Sequence, residues 1–357
     1  MGVGNIVGVG VAIYLAGPGV IFWMLISSLI SASTNYLEVY SSKTFSQDLY
    51  NPISYIDNKY CSYLYSIVMI LTSLFIGNLT QINSIKIALN MFDPKILIFA
   101  TILMFVMCTY KSKNIDRSLS LIMPIISILY LIIGIYLLIN QKDNLGNAID
   151  LIIKCAFQPQ STLGIPFFYV FNQGVLFAVF SNEAGNGSSA MAFKDSKGDA
   201  KELGVVASLG PIIDSAIISV LTGLIILSNN RYINFNYQNI NPNETIYIVD
   251  IYRETFGKFG LVLMCFMIVL FAFATLISWF YYACLGVKYL KLKYIIFYAI
   301  YVVLIAVGMF AKLTFVMDIT NYLNVFLLII NLSYLFKRSF MVRCKGGGGI
   351  NAKKSNK

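Results

Sequence analysis

The sequence predicts an all-α polytopic membrane protein made of two five-helix repeats in inverted topology, with the first helix incomplete. Three observations predict this fold. Of 357 residues, 58% are hydrophobic and only 12% are charged, and the mean hydropathy is +0.75, which exceeds what a soluble core can bury. Ten apolar segments divide the chain. Two of them, 5–16 and 164–193, contain glycine-rich polar interruptions, and each is followed by four uninterrupted segments.

Each segment is identified by comparison with the roughly 20 apolar residues that cross a bilayer. The first is a half span and the other nine are full spans. Segment 146–157 is too short and too charged to cross, so it predicts an interfacial helix, and Asn229–Lys258 is the longest polar connection. The predicted spans lie at 5–16, 18–42, 60–91, 95–110, 118–139, 164–193, 203–228, 259–287, 294–311 and 315–336.

The domain boundaries and the orientation follow from these spans. The transmembrane domain is predicted at 1–336, with repeats at 1–141 and 160–336, and a basic tail at 337–357. Lysines and arginines concentrate in alternate connections and in the tail, which by the positive-inside rule predicts a cytoplasmic C-terminus in a multi-pass protein of the cell membrane. This distribution explains the net charge of +10 without a nucleic-acid partner.

Composition also argues against an enzyme. The chain has no histidine, so histidine-ligated metals and Ser-His or Cys-His pairs are excluded within it. The six cysteines are scattered without the close spacing of metal or redox motifs. We therefore expect no enzymatic activity and no cofactor, and the oligomeric state stays open.

The two interruptions read "GVGNIVGVG" at 2–10 and "FSNEAGNGS" at 180–188. A helix broken inside a membrane frees backbone N–H and C=O groups, which is tolerated where they line a cavity. Half-helix N-termini then suit a carboxylate and exposed carbonyls suit a small cation. The interruptions therefore predict a binding site, although glycines such as Gly8 and Gly10 have helix packing as an alternative role.

Intramembrane carboxylates are costly and call for a partner or a function. Asn182 and Glu183 are the polar residues that most favour a functional site. Asp214 and Asp318 have helix–helix tethering as an alternative. Glu38 and Asp57 lie near the predicted inner face, where we expect solvated charges at loop ends.

These motifs resemble those of the alanine or glycine:cation symporter family, also called the sodium:alanine symporter family. The similar stretches are "GVGNIVGVGVAIYLAGPGVIFWM" at 2–24, "IGNLTQINSI" at 76–85, "CAFQPQ" at 155–160, "FSNEAGNGS" at 180–188, "FAFATLISWFYY" at 271–282 and "DITNYLNV" at 318–325. The resemblance implies a leucine-transporter-type fold and a secondary active transporter. Such a protein uses a sodium gradient, or in some members a proton gradient, to take up alanine, glycine or similar small neutral amino acids.

The resemblance also implies roles for individual residues. Thr275 and Trp279 would close the pocket and limit substrate size, Asn5 and Thr275 would be sodium ligands, and Glu183 would be a structural carboxylate or a proton carrier. The implied substrate-binding residues are Gly4, Asn5, Gln81, Phe180, Ser181, Asn182, Thr275 and Trp279.

Some positions depart from the family pattern. Val3 and Ala274 each replace a residue that carries a hydroxyl group, and the loss of an oxygen weakens a site for a hard cation. The other departures are Phe177 for an arginine, Asn186 for a leucine and Cys284 for a glutamate.

The chain begins at the first break, whereas the family has an additional N-terminal helix and a complete first core helix. Two hypotheses about the function are therefore considered. One is a sodium-coupled symporter whose sequence is N-terminally truncated as given, with a proton as the alternative coupling ion. The other is a truncated or degenerate family member that does not transport and only binds a ligand or a partner.

Overall fold

The computed structural model describes residues 2–45, 53–90, 92–110, 112–158, 164–230, 232 and 246–346, and in 107–108, 110, 112–121 and 340–346 it describes the backbone alone. Within these ranges the secondary structure is helical and contains no strand. The predicted all-α class is thus confirmed for the described part of the chain.

Twelve helices follow one another along the described residues. A short 3₁₀ turn, Val3–Asn5, precedes the first, and π-helical stretches lie inside the third and ninth at Ser73–Leu79 and Ile212–Ser219. The helices are α1 Val7–Ala16, α2 Val20–Thr44, α3 Lys59–Ala88, α4 Pro94–Tyr110, α5 Ser112–Asn140, α6 Lys142–Phe157, α7 Phe167–Asn182, α8 Ser188–Ala192, α9 Ala200–Ser228, α10 Tyr247–Tyr289, α11 Tyr294–Gly308 and α12 Leu313–Gly346.

Six of the described helices are long and apolar enough to cross a membrane, namely α2, α3, α5, α9, α10 and α12. The apolar helices α1, α4, α7 and α11 are shorter. The sequence predicts nine full spans, and six described helices reach 18 residues; α4 and α11 are shorter apolar helices, and the segment at 164–193 divides into α7 and α8. A polytopic membrane protein remains the class that these helices support.

The predicted polar connection Asn229–Lys258 is wrong over its second half, because Tyr247–Phe256 is helical. Tyr247, Ile248, Ile251 and Tyr252 bury one face of this helical part. At Gly257 the backbone turns with φ 63° and ψ −143°, and α10 continues in a new direction. Polar residues on the outer face gave this amphipathic stretch the appearance of a loop.

Helices extend past two further predicted boundaries. The segment at 146–157 is helical but begins earlier, at Lys142, and the amide of Asn144 donates to the Ser228 carbonyl at 3.0 Å. The basic tail predicted from residue 337 begins inside α12, which continues to Gly346. Residues 347–357 and the predicted start of repeat two at 160 lie outside the described residues.

Packing brings the two interrupted segments together. Helix α2 packs along α7 and α9, α10 and α12 pack on α3, and α1 lies against α7 and α10. Large apolar side chains such as Ile132 and Ile329 project outward, more than half exposed, as expected of surfaces that face lipid. The polar breaks lie among the buried residues between these groups of helices.

Candidate functional site

The first break lies at the junction of the 3₁₀ turn and α1. Ile6 has φ −118° and ψ −66°, outside regular helical geometry, and Val3, Gly4 and Asn5 are buried. The turn is closed by a bond from the Ile6 N–H to the Val3 carbonyl at 3.1 Å. The first segment thus begins as a 3₁₀ turn and becomes α-helical at Val7; this junction is the first break.

The second break covers Glu183–Gly187, between α7 and α8. Glu183 has φ 56°, and Gly185 and Gly187 both have φ 84°. This left-handed region is natural for glycine but uncommon for a side-chain-bearing residue such as glutamate. The predicted interruption of the sixth segment is present, and its backbone places the Glu183 side chain at the end of α7.

The two breaks meet directly. The hydroxyl of Ser181 donates to the side-chain oxygen of Asn5. A Cβ atom on Gly4 would lie 3.0 Å from the Ser181 Cα and 3.2 Å from the Phe180 ring, which also packs on Gly8. The predicted residues Gly4, Asn5, Phe180 and Ser181 thus form one contact between the first and sixth segments.

A cavity of about 260 Å³ opens beside this contact. Of the predicted site residues, Ser181, Asn182, Glu183 and Thr275 line it. Because it combines carboxylates and hydroxyls with a few apolar groups, it suits a small polar molecule. The remaining lining residues are Gly2, Met123, Asp214, Ala274, Ser278 and Tyr282.

Trp279 reaches the second break from α10. Its indole N–H donates to the Glu183 carboxylate at 2.7 Å, and the tryptophan side chain is fully buried. A Cβ atom on Gly77 of α3 would lie 2.1 Å from the Cβ of Trp279, so glycine is needed for this approach. Trp279 lies behind Glu183 and is absent from the cavity lining.

Thr275 and Gln81 occupy different surroundings. The Thr275 hydroxyl donates to the Phe271 carbonyl at 3.0 Å and faces the backbone of Gly2. Gln81 is buried in α3, where its amide donates to the Ile76 carbonyl at 2.9 Å and its Oε1 has no hydrogen-bond partner. Thr275 therefore joins the cavity, whereas Gln81 lies outside its lining.

Two serines of α9 that sequence analysis missed complete the contact between the breaks. The Ser215 hydroxyl donates to the Ser181 hydroxyl at 3.1 Å, and the Ser219 hydroxyl lies 3.2 Å from it. Both serines are fully buried in the π-helical stretch. Their spacing of four residues next to Pro211 is the signal in the sequence that could have marked them.

The expectation of a solvated charge at Glu38 is wrong. Glu38 is fully buried, and its Oε1 accepts from the Gly187 N–H at 3.0 Å and from the Asn331 amide at 2.8 Å. Asn331 also donates to the Gly185 carbonyl at 2.9 Å. Glu38 of α2 and Asn331 of α12 therefore hold the second break from the side away from the cavity.

Two more buried contacts belong to the same arrangement. The Tyr65 hydroxyl donates to the Asn186 carbonyl at 2.6 Å, and the Asn186 amide donates to Asn324 at 2.9 Å. Asn186, which departs from the leucine expected from the resemblance, thus has a partner on α12. Almost every residue of the second break is fixed by another helix.

As the sequence predicts, Asp57 is an exposed charge near the end of a loop. Its carboxylate lies 2.8 Å from Lys337 Nζ and 3.4 Å from Arg338, and the Lys337 ammonium keeps the pKa of Asp57 below its ordinary value. Lys43, at the end of α2, donates to the Lys194 and Ser196 carbonyls. One end of the molecule is therefore basic. It contains the C-terminal parts of α2 and α12 and the turn before α9.

Among the described residues, no cluster of three or more His, Cys, Asp or Glu side chains offers a metal site. The cavity presents both hydrogen-bond donors and carboxylates. Asn5 Nδ2 and Asn182 Nδ2 are buried donors without hydrogen-bond partners, which suits a carboxylate ligand, and the carboxylates of Glu183 and Asp214 line the same space.

Comparison with known proteins gives consistent results. The model of the sodium:alanine symporter family matches residues 1–343. A probable sodium/glutamine symporter of Bacillus subtilis is 28% identical over 96% of this chain and 74% of its own length. A sodium/alanine symporter of Methanococcus maripaludis is 27% identical over 96% and 80%, and an uncharacterized transporter of Haemophilus influenzae is 27% identical over 91% and 75%.

Proposed function

The chain belongs to the sodium:alanine symporter family, and from this premise we propose that it carries a small neutral amino acid, alanine or glycine, into the cell together with sodium. Sodium-coupled amino-acid transport is the activity that the family and the named relatives support. The main support for the proposal is the cavity, which lies beside the contact between the two broken membrane segments.

The polar groups around the cavity match the two charges of an amino acid. The unpartnered amide donor of Asn182 lines the cavity and suits the substrate carboxylate. The unpartnered amide donor of Asn5 lies next to the cavity at the contact with Ser181, and Gly4 allows this contact to be close. Glu183 and Asp214 suit the substrate ammonium. Phe180 and Ser181 fix the geometry of the two breaks, and Thr275 closes the cavity from α10.

The order of helices supports the leucine-transporter-type fold. In repeat one the broken α1 segment precedes α2, α3, α4 and α5, and in repeat two the broken pair α7 and α8 precedes α9, α10, α11 and α12. Two broken helices that start corresponding halves are typical of inverted-repeat transporters. Transport would then proceed by alternating access around the cavity.

Substrate size is limited by the cavity and by Trp279 behind it. A volume of about 260 Å³ accommodates alanine or glycine with a few waters, each of which occupies about 30 Å³. Gln81 would act through the π-helical stretch that packs under Trp279. Since one relative is named for glutamine and another for alanine, the test includes both amino acids.

The sequence-based sodium ligands, Asn5 and Thr275, stay proposed ligands. Both lie in or beside the cavity, and Glu183 stays the candidate if the coupling ion is a proton. The basic end formed by Lys43, Lys337 and Arg338 supports a cytoplasmic C-terminus in the cell membrane.

Uptake into proteoliposomes tests the proposal. Radiolabelled alanine, glycine and glutamine are supplied with an inward sodium gradient, or with choline replacing sodium, and liposomes without protein serve as the control. We expect accumulation of alanine or glycine that requires the sodium gradient and disappears when a sodium ionophore collapses it. Amino-acid binding without uptake in any ion gradient would favour the non-transporting hypothesis.

A further inference from the structure

Glu38 is a fully buried carboxyl group, and no cationic side chain of the described residues is bonded to it. The buried arginine of α12, Arg338, instead donates to the Tyr55 carbonyl at 3.0 Å and lies 3.4 Å from Asp57. An ionised carboxylate is costly in buried surroundings inside a membrane unless a cation pairs with it. The alternative is a neutral carboxyl group that carries a proton.

The two oxygens of Glu38 have unlike surroundings. Oε1 accepts from the Gly187 N–H at 3.0 Å and from the Asn331 amide at 2.8 Å, whereas Oε2 is buried without a hydrogen-bond partner. An ionised carboxylate is an acceptor at both oxygens, but a protonated one has a carbonyl oxygen that accepts and a hydroxyl group. The arrangement of donors, with both on Oε1 and none on Oε2, matches the protonated group.

The titratable groups that face Glu38 are tyrosines. Tyr55 in the connection before α3, Tyr65 of α3 and Tyr282 of α10 lie within electrostatic range of it. The Tyr65 hydroxyl donates to the Asn186 carbonyl, and the Tyr55 hydroxyl donates to Asn331, so neither hydroxyl donates to Glu38. Phenols stay neutral through the ordinary pH range. Glu38 is therefore the group whose charge can change on this side of the second break.

A row of contacts leads from Glu38 to the basic end of the molecule. Asn331 bonds to Glu38 and accepts from the Tyr55 hydroxyl, and Arg338 joins the Tyr55 carbonyl to Asp57. Tyr55 and Asn331 are fully buried, whereas the Asp57 side chain is 30% exposed. Since this row closes over Glu38, exchange of a proton with water requires α12 and Tyr55 to separate from it.

We propose that Glu38 is a proton-binding site on the side of the second break that faces the basic end. The proton comes from water at that end and forms an O–H bond at Oε2, which leaves Oε1 as the accepting carbonyl oxygen. The protonated group joins α2, α12 and Gly187 without burying a charge. Loss of the proton leaves a buried anion, which favours separation of these elements and entry of water.

This site goes beyond the proposed symport. The cavity lies on the opposite side of the break, where Glu183 bonds to Trp279 and Asp214 lines the space. Glu38 is not part of that lining. Proton binding at Glu38 therefore needs neither the amino acid nor sodium, and it can be measured without transport.

Infrared spectroscopy of the purified protein detects the proton, because a protonated carboxyl group has a C=O stretching band that an ionised carboxylate lacks. We expect this band at neutral pH in the unaltered protein and its loss in Glu38→Gln. Asn331→Leu should move the band to higher frequency, since Oε1 loses a donor, and this variant serves as a second test if Glu38→Gln does not fold. Asp57→Asn is the matched control and should leave the band unchanged, because Lys337 keeps Asp57 ionised.

The proton also links stability to pH. A proton that is bound in the folded protein and released on unfolding makes the unfolding constant rise with pH, by up to about tenfold per pH unit. We expect the Tm of the unaltered protein to fall from mildly acidic to mildly alkaline pH, and the Tm of Glu38→Gln to fall less.

The assignment is overturned if the band is absent, if it survives in Glu38→Gln, or if Glu183→Gln alone removes it. It is also overturned if Asn331→Leu leaves the frequency unchanged or if the Tm of Glu38→Gln follows pH as the unaltered protein does. Failure of amino-acid uptake by a protein that shows the Glu38 band would reject the proposed function alone.

Discussion

At the scale of single residues, the most informative side chain is Glu38, a buried carboxylate that accepts from the Gly187 N–H and the Asn331 amide through one oxygen. Its second oxygen has no hydrogen-bond partner. The carboxylate therefore acts as an acceptor at the second break, and a neutral side chain with one well-placed oxygen should serve the same purpose.

We expect Glu38→Ala to lower the free energy of unfolding by about 2–4 kcal/mol, because two buried donors lose their acceptor at about 1–3 kcal/mol each, less some relief from burying a carboxylate. Glu38→Gln keeps the accepting oxygen and should lose less than half of that. Thermal melting of both variants in detergent measures the difference. Equal losses in the two variants would contradict the role of Glu38 as an acceptor.

The sequence predicted the breaks more successfully than their surroundings. Glycines with polar neighbours inside apolar segments indicated the breaks at Asn5 and Glu183, because few other roles explain such residues in a membrane. Burial of Glu38 could not be predicted, since it depends on Gly187 and Asn331, which are 149 and 293 positions away. Ser215 and Ser219 were missed because serines in membrane helices usually pack or bond to their own backbone.

At the scale of helices, α10 shows how one glycine joins an amphipathic helical part to a membrane span. Tyr247–Phe256 was predicted as part of a loop because its polar residues hide a buried face from a search for apolar runs. The bend at Gly257 occupies a backbone region that is nearly exclusive to glycine. No atom lies within 4 Å of a Cβ placed there, so the backbone alone requires glycine.

Gly257→Ala should therefore lower the free energy of unfolding by about 1–3 kcal/mol through backbone strain. Gly146→Ala is the matched control, since a Cβ at this exposed position in α6 also meets nothing within 4 Å, but the backbone is helical. That change should raise stability by about 0.5–1 kcal/mol. If the melting temperatures of both variants shift in the same direction, a side chain at position 257 does not strain the backbone of the bend.

At the scale of the whole molecule, the two ends of α12 allow the predicted orientation to be tested. Lys312 precedes the helix, and Lys337 near its other end pairs with Asp57. Between them lie about 25 residues, or about 37 Å of helix, enough to cross the hydrocarbon core. Lys197 lies in the turn that Lys43 contacts, at the same end as Lys337.

The orientation can be measured by thiol labelling in a cysteine-free background. We expect Lys197→Cys to react with a membrane-impermeant maleimide only after the cytoplasmic side is opened, and Lys312→Cys to react in intact cells. Both lysines are exposed, so neither substitution disturbs a buried contact. The reverse pattern of labelling would place the C-terminus outside the cell.

The bond between Trp279 and Glu183 also has a spectroscopic consequence. The chain contains two tryptophans, and they occupy unlike environments. Trp23, near the start of α2, makes edge-to-face contacts with phenylalanine rings, whereas the indole N–H of Trp279 is bonded to the carboxylate at the second break. Indole emission depends on the polar groups near the ring, so we expect loss of the bond to Glu183 to shift the emission of Trp279. The protein therefore carries its own fluorophore at the second break, and the surroundings of this break can be followed without attaching a dye.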